Sequence, residues 1–430
     1  MTTMLDRTRL ALTQQPIVDM HTHCYPPSFG HSGVGGGDGM LLWGIDQLLT
    51  YHYLVAEVYR VVPATELPYD TFFAMTTREQ ADHIWRHLFI ERTPISEACR
   101  GVITTLGALG LDPNERSLDS LRSWFEARDA NTYVDTVMET SGVESITMTN
   151  AVFDDEERSL WLEKGDALKD PRFEAVLRID PLLQDWPSAS AKLGAWGYGV
   201  SEELTPRTIA EAKRFITDWL TRMDAIYVAM SLPPGFRYPD PSNPTADRII
   251  AEILMPVLAD HGLPWAMMIG SRRHVNPALG QAGDMVGKAD VQAVVNLCRD
   301  FPRNRFLVTM LSRENQHELC VAARKFGNLM VFGCWWFLNN PSIIEEMTRE
   351  RFELLGTTVI PQHSDARVLD QLIYKWSHSR EIIARCLATQ YEQLDDTGYR
   401  VTDEHIGADA ERLMRGNFRS FITAEQPVEA

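Results

Sequence analysis

Residues 16–26 read PIVDMHTHCYP. An apolar run of Ile17, Val18 and Met20 ends in His21-Thr22-His23. Side chains alternate faces along a strand, so the two imidazoles share one face at the end of a candidate strand. The pair alone does not make a metal site. With 12 His in 430 residues, one such spacing arises by chance in roughly a third of chains.

Outward from this stretch the same texture recurs. Short apolar runs are each followed by polar residues and then a helical pattern: ESITMTN near 144, FEAVLRID near 173, AIYVAMS near 225, LPWAMMIG near 263, NRFLVTMLS near 304, NLMVFG near 328 and TTVIPQHSD near 357. With IVDMHTH they make eight β units, mostly separated by helices. That predicts an α/β fold, a parallel (β/α)8 TIM barrel. Residues 1–40 and 140–430 would form the barrel. Residues 41–139 read as a helical insertion between the first and second strands, covering the barrel mouth. Within it, IDQLLTYHYLVAEVYRVV and TREQADHIWRHLFIERT have helical spacing, and NERSLDSLRSWFEARD starts with a plausible Asn cap.

Composition bounds the partners. The chain carries 59 acidic and 41 basic residues, a net charge of -18, which argues against binding nucleic acid or an anionic membrane. A small anionic substrate would need a local Arg cluster. Six scattered cysteines without a C-x-x-C pair read as reduced core residues of a cytoplasmic protein. The N-terminal segment lacks a signal-type apolar core, and no run is long enough to span a membrane. The Gly-rich stretch at 30–40, GHSGVGGGDGM, lacks a phosphate-loop ending and reads as a flexible surface loop, with a mobile lid as the alternative.

In such a barrel the active site lies at the C-terminal strand ends. The first run supplies His21 and His23, and the eighth ends in His363, Asp365 and Arg367 at alternate positions. First and eighth strands are neighbours in a closed barrel, so His21, His23 and Asp365 can converge. Two imidazoles and a carboxylate suit Zn2+ or a similar divalent ion. His363 is a rival ligand. The fifth and sixth runs do not end in His, which favours one metal ion over two. Arg178 and Arg367 are candidates for clamping a carboxylate, against the alternative of ordinary ion pairs such as Arg178 with Asp180. Arg272 and Arg273 read as solvated loop charges. His52 and Tyr53 stand in an apolar helical stretch, either packed on the barrel or lowered onto a substrate. Trp335 and Trp336 are either core or a ring face for a sugar.

DMHTH, LLTYHYLVAEV, FLVTMLSRENQHEL, FGCWWFLNNP and IPQHSDAR together closely resemble the uronate isomerases (glucuronate isomerases) of the amidohydrolase superfamily, in their shorter bacterial subgroup. The resemblance runs from about residue 14 to about 422. It implies a distorted barrel of the metal-dependent hydrolase type and the interconversion of D-glucuronate with D-fructuronate and of D-galacturonate with D-tagaturonate. It implies one metal ion, usually zinc, on His21, His23 and Asp365, with His52 and Tyr53 in the active site. Arg178, Arg367 and Trp335 or Trp336 would bind substrate. The fifth strand carries Met267-Met268 where other branches carry a His. Moving a proton between C2 and C1 through an enediol needs a base, a hydroxyl-bearing shuttle and a fixed substrate. Asp365, Tyr53 and the arginines suit those roles, and His52 can stabilise charge on the enediol oxygens. A mononuclear hydrolase or decarboxylase acting on a sugar acid, and a sugar-acid binding protein, are the competing readings. A homo-oligomer is left open.

Overall fold

The computed structural model describes residues 3–32 and 39–424. Most of the Gly-rich stretch, residues 33–38, lies outside the described residues. Seven parallel strands form one sheet in sequence order: β1 (Ile17–Thr22), β2 (Val143–Ala151), β3 (Phe173–Arg178), β4 (Val228–Leu232), β5 (Trp265–Ile269), β6 (Phe306–Met310) and β7 (Leu329–Val331). Parallel pairing requires crossovers, and helices supply them on the outer face.

The eighth run departs from expectation, because it forms no regular strand. It still closes the barrel. Ile360 N–H donates to Val331 and Gly333 N–H donates to Ile360 on the β7 side, at 3.1 and 2.9 Å. On the β1 side His23 N–H donates to Ala366 at 2.7 Å and Asp365 N–H to His21 at 3.1 Å. Between these contacts Pro361 offers no N–H, and Asp365 adopts a φ of 51° that no strand accommodates. The barrel is therefore distorted where its two ends meet.

Alternate parity separates two cores. Val18, Met20, Val176, Ala229, Ala266, Met268 and Leu307 fill the interior together with Phe418 and Ile422 of the helix Asn417–Thr423. Val228, Met230, Trp265, Met267, Phe306 and Val308 face the surrounding helices. The helix Asn417–Thr423 plugs the N-terminal end of the barrel. Asn417 Nδ2 donates to Thr357 and Val359, and the Phe418 ring lies 6.2 Å from Tyr227, just before β4.

Between β1 and β2 the chain is helical: Ile45–Leu49, His52–Val58, Tyr69–Phe73, Thr77–Trp85, Glu97–Ala108, Asp119–Glu126 and Ala130–Ser141. The run starting at Ile45 is broken where the sequence pattern is continuous. Thr50 Oγ1 donates back to Asp46 O at 2.8 Å and Tyr51 turns extended, so His52 opens a new helix. The Asn cap at Asn114 is not formed. Asn114 sits in a turn on Asp112 Oδ1, and the helix begins only at Asp119. Asp129 caps the last helix by accepting from Asn131 and Thr132 N–H, and Gly142, at φ 73°, ends it and turns the chain into β2. No described helix is long and apolar enough to cross a membrane.

Candidate active site

By strict alternation His21 would lie opposite Val18 and Met20 and point away from the interior. A bulge corrects this. Asp19 pairs with Ile146 and Thr22 with Met148, so three steps along β1 match two along β2. The extra residue re-aims His21 into the barrel mouth and leaves Asp19 facing outward. There Asp19 accepts from Trp376 Nε1 at 2.8 Å, on the helix Gln371–Asp396, and from Ser364 N–H at 3.1 Å.

At the mouth His21, His23 and Asp365 converge. Their ligand-type atoms all lie within 4.8 Å of one another, and each Nε2 is 3.4 Å from Asp365 Oδ1. Thr149 Oγ1 lies 3.3 Å from His21 Nδ1 and donates to Thr22 O at 2.7 Å, which fixes the first imidazole. Burial pushes His23 down to about 4 against the pull of Asp365, leaving it neutral near pH 7. Burial also raises Asp365, but its contacts to His21 and His23 outweigh this and hold it well below the usual carboxylate range. His21 Nε2 is buried with no hydrogen-bond partner among the described residues. A neutral His23, an ionised carboxylate and the orphaned ring nitrogen of His21 fit a divalent metal ion, so these residues could hold one. His363 is outside this group. Its ring stands edge-on to His21 at 5.3 Å and is buried against Gly333.

The three residues line a cavity of about 600 Å³. Arg178, Arg367, His52, Trp335 and Trp336 line it too. Arg178 also forms the ion pair named as its alternative role, with Nε and Nη2 at 2.7 and 3.0 Å from Asp180. Among the described residues Arg367 makes no ion pair, and its Nη1 donates to Gln281 Oε1 at 2.8 Å. Both Trp residues are buried in the interior cluster and present at the cavity. Met268, on the inward parity of β5, lines the cavity. Tyr53 lines a second, smaller cavity of about 260 Å³ shared with His52, Trp336 and Lys375, whereas Tyr51 lines the larger one. His52 Nε2, the Tyr53 hydroxyl and Trp336 Nε1 are buried and make no hydrogen bond of good geometry with described residues.

Several site residues escape sequence reading. Arg273 is half-exposed, as read, yet it also lines the larger cavity, pairs with Asp284 at 2.5 Å and lies over Trp336 at 5.4 Å. Lys375 is buried, donates to Ser364 O at 2.6 Å and approaches Asp365 O at 3.4 Å, holding the turn that carries the carboxylate. Its signal is a lone Lys within the apolar helical run LIYKW. Burial pushes its ammonium pKa down.

No family model matches the chain, and no curated protein matches it. Solved structures do. A uronate isomerase from Bacillus halodurans C-125 is 52% identical, superposes with a TM-score of 0.92, and the match covers 98% of this chain and 96% of that one. A uronate isomerase from Thermotoga maritima (14% identity, TM-score 0.76, 97% of each chain) and a glucuronate isomerase from Caulobacter crescentus (15%, 0.75, 99% of this chain and 95% of that one) share the fold. The match to the first of these covers barrel, helical segment and plug alike, and so the chain belongs to the uronate isomerase family.

Proposed function

We propose that this enzyme interconverts D-glucuronate with D-fructuronate, and D-galacturonate with D-tagaturonate, by moving a proton between C2 and C1 through an enediol. One observation carries the reading of the site: Asp365 is held ionised in the same cavity as Arg178, Arg273 and Arg367. An ionised carboxylate can accept a carbon-bound proton, and a guanidinium fork matches the carboxylate of a sugar acid. The clustered arginines also reconcile an anionic substrate with a net charge of -18.

In this reading His21, His23 and Asp365 hold one divalent ion, Zn2+ by their chemistry, which when bound polarises a substrate oxygen. Asp365 takes the C2 proton and returns it to C1. Tyr53 relays a proton between O1 and O2, and His52 donates to the enediol oxygens. Arg367, with no acidic partner among the described residues, is the stronger clamp for the C6 carboxylate. Arg178 shares its fork with Asp180 and presents its remaining edge. Trp335 and Trp336 offer ring faces to the sugar. The helices of 41–139 cover the mouth through His52. The six cysteines are free and buried, which supports a reducing compartment such as the cytoplasm.

Proton NMR of D-glucuronate and D-galacturonate incubated with the enzyme in D2O tests the reaction. The expected result is ketose formation, and any deuterium carried to C1 reports exchange at the base. Release of a fragment or of CO2 without ketose would instead establish a hydrolase or decarboxylase.

A further inference from the structure

Two residues beyond His23, the chain places Tyr25 in the wall of the larger cavity. Its hydroxyl donates to Glu157 Oε2 at 3.0 Å. Glu157 lies in the first turn of the helix Asp155–Lys164 and is 1% exposed. The same carboxylate accepts from Asn150 Nδ2 at 2.7 Å and from Ala151 N–H at 2.8 Å. The Tyr25 ring sits 5.1 Å from Phe29, which packs 5.6 Å from Trp161. The phenol is thus fixed through both its ring and its hydroxyl.

Burying a carboxylate is costly even when, as here, three donors satisfy it, so its presence beside the cavity calls for a use beyond stabilising the fold. The arrangement does have a chemical effect. A phenol whose proton is committed to a carboxylate presents only lone pairs to the cavity. It accepts a hydrogen bond and cannot give one. It therefore favours a hydroxyl and rejects a carboxylate. Arg178 and Arg367 line the same cavity as this phenol, so it shares the space in which a substrate carboxylate would be clamped.

We propose that Tyr25, oriented by Glu157, is a specificity-determining residue that accepts a hydrogen bond from a hydroxyl near the carboxylate end of the bound uronate, at C4 or C5. The proposal rests on the uronate reading above. Glu157 is a positioning residue, acting only through Tyr25. If the partner is O4, the pair also reads the centre at which glucuronate and galacturonate differ.

The test is steady-state kinetics of wild type and Tyr25→Phe on D-glucuronate and on its 4-deoxy and 5-deoxy analogues, near pH 8. Losing one neutral hydrogen bond should raise KM for D-glucuronate roughly 3- to 10-fold. kcat should stay within about twofold, because the phenol is assigned to neither C1 nor C2. Wild type should lose the same factor with one of the two analogues, and Tyr25→Phe should cost nothing further on that analogue. Glu157→Gln keeps an amide oxygen where Oε2 accepts from both Tyr25 and the Ala151 N–H, so KM for D-glucuronate should stay within about twofold. Glu157→Ala removes that acceptor and frees the phenol proton to turn inward, and it should raise KM with kcat kept. Equal Tyr25→Phe penalties on all three substrates, or a wild type indifferent to both deoxy analogues, would overturn the proposal. Wild type inactive on both D-glucuronate and D-galacturonate would remove the uronate reading itself, and the proposal with it.

Discussion

Burial keeps His23 neutral, while two imidazoles keep Asp365 ionised, and the pairing of those states makes the site a cation trap. Its capacity is tested by elemental analysis of His21→Ala. Loss of one of three ligands should reduce the divalent metal content from about one per chain to a small fraction. A variant that keeps full occupancy would take His21 out of the site. The two phenols of the Tyr51-His52-Tyr53 run pose a finer question. Their rings lie 4.8 Å apart, with Tyr51 at the larger cavity and Tyr53 at the smaller. If Tyr53 relays the proton between O1 and O2, Tyr53→Phe should cut kcat by about 10²–10⁴-fold, whereas Tyr51→Phe should stay within about threefold. Metal content and melting temperature should barely move in either. The reverse ranking on D-glucuronate would assign the relay to Tyr51.

At the scale of elements, the closing segment 359–366 matters most. Gly333, just after β7, has a φ of 62°, and a Cβ there would lie 1.6 Å from His363 Nδ1. Gly333→Ala should therefore cost about 3–5 kcal/mol, combining left-handed backbone strain with overpacking. Urea unfolding measures it. The double variant with His363→Ala should be less destabilised than the sum of the singles, since the two groups collide directly. Seven strands were legible because each is an apolar run of ordinary strand length. The eighth was legible as a run but not as an irregular closure, since composition does not report a positive φ at Asp365. His21, His23 and Asp365 were legible because spacing and barrel adjacency both point to them. The β1 bulge was not, because an extra residue leaves no mark on hydrophobic alternation when its neighbours are apolar. Arg273 is half-exposed, as a solvated loop charge would be, but its place at the cavity was not legible, because a charge in a polar loop looks the same whether or not a cavity lies beside it. Tyr25 and Glu157 lie 132 positions apart, and no local pattern links them.

On the scale of the whole molecule, stability should carry the signature of Glu157. Burial raises this carboxyl from 4.5 to about 7. Its folded pKa lies above its unfolded one, so its contribution is fully present below about 4.5 and is lost as pH rises through 7. Relative to Glu157→Gln, wild type should lose on the order of 3 kcal/mol of unfolding free energy between pH 4.5 and 8. A difference between the two proteins that is flat with pH would show that the carboxyl is not perturbed. The plug formed by Asn417–Thr423 sets a different constraint, one of timing. Synthesis on the ribosome delivers β1 first, but Phe418 and Ile422 complete the barrel interior. At roughly 5–20 residues per second, the nascent chain waits on the order of 10 s between the end of β7 and the arrival of its plug. During that interval the half-built barrel holds an open, apolar lumen. The helix Asn417–Thr423, made after all seven strands, therefore sets how long that lumen stays open on a newly made chain.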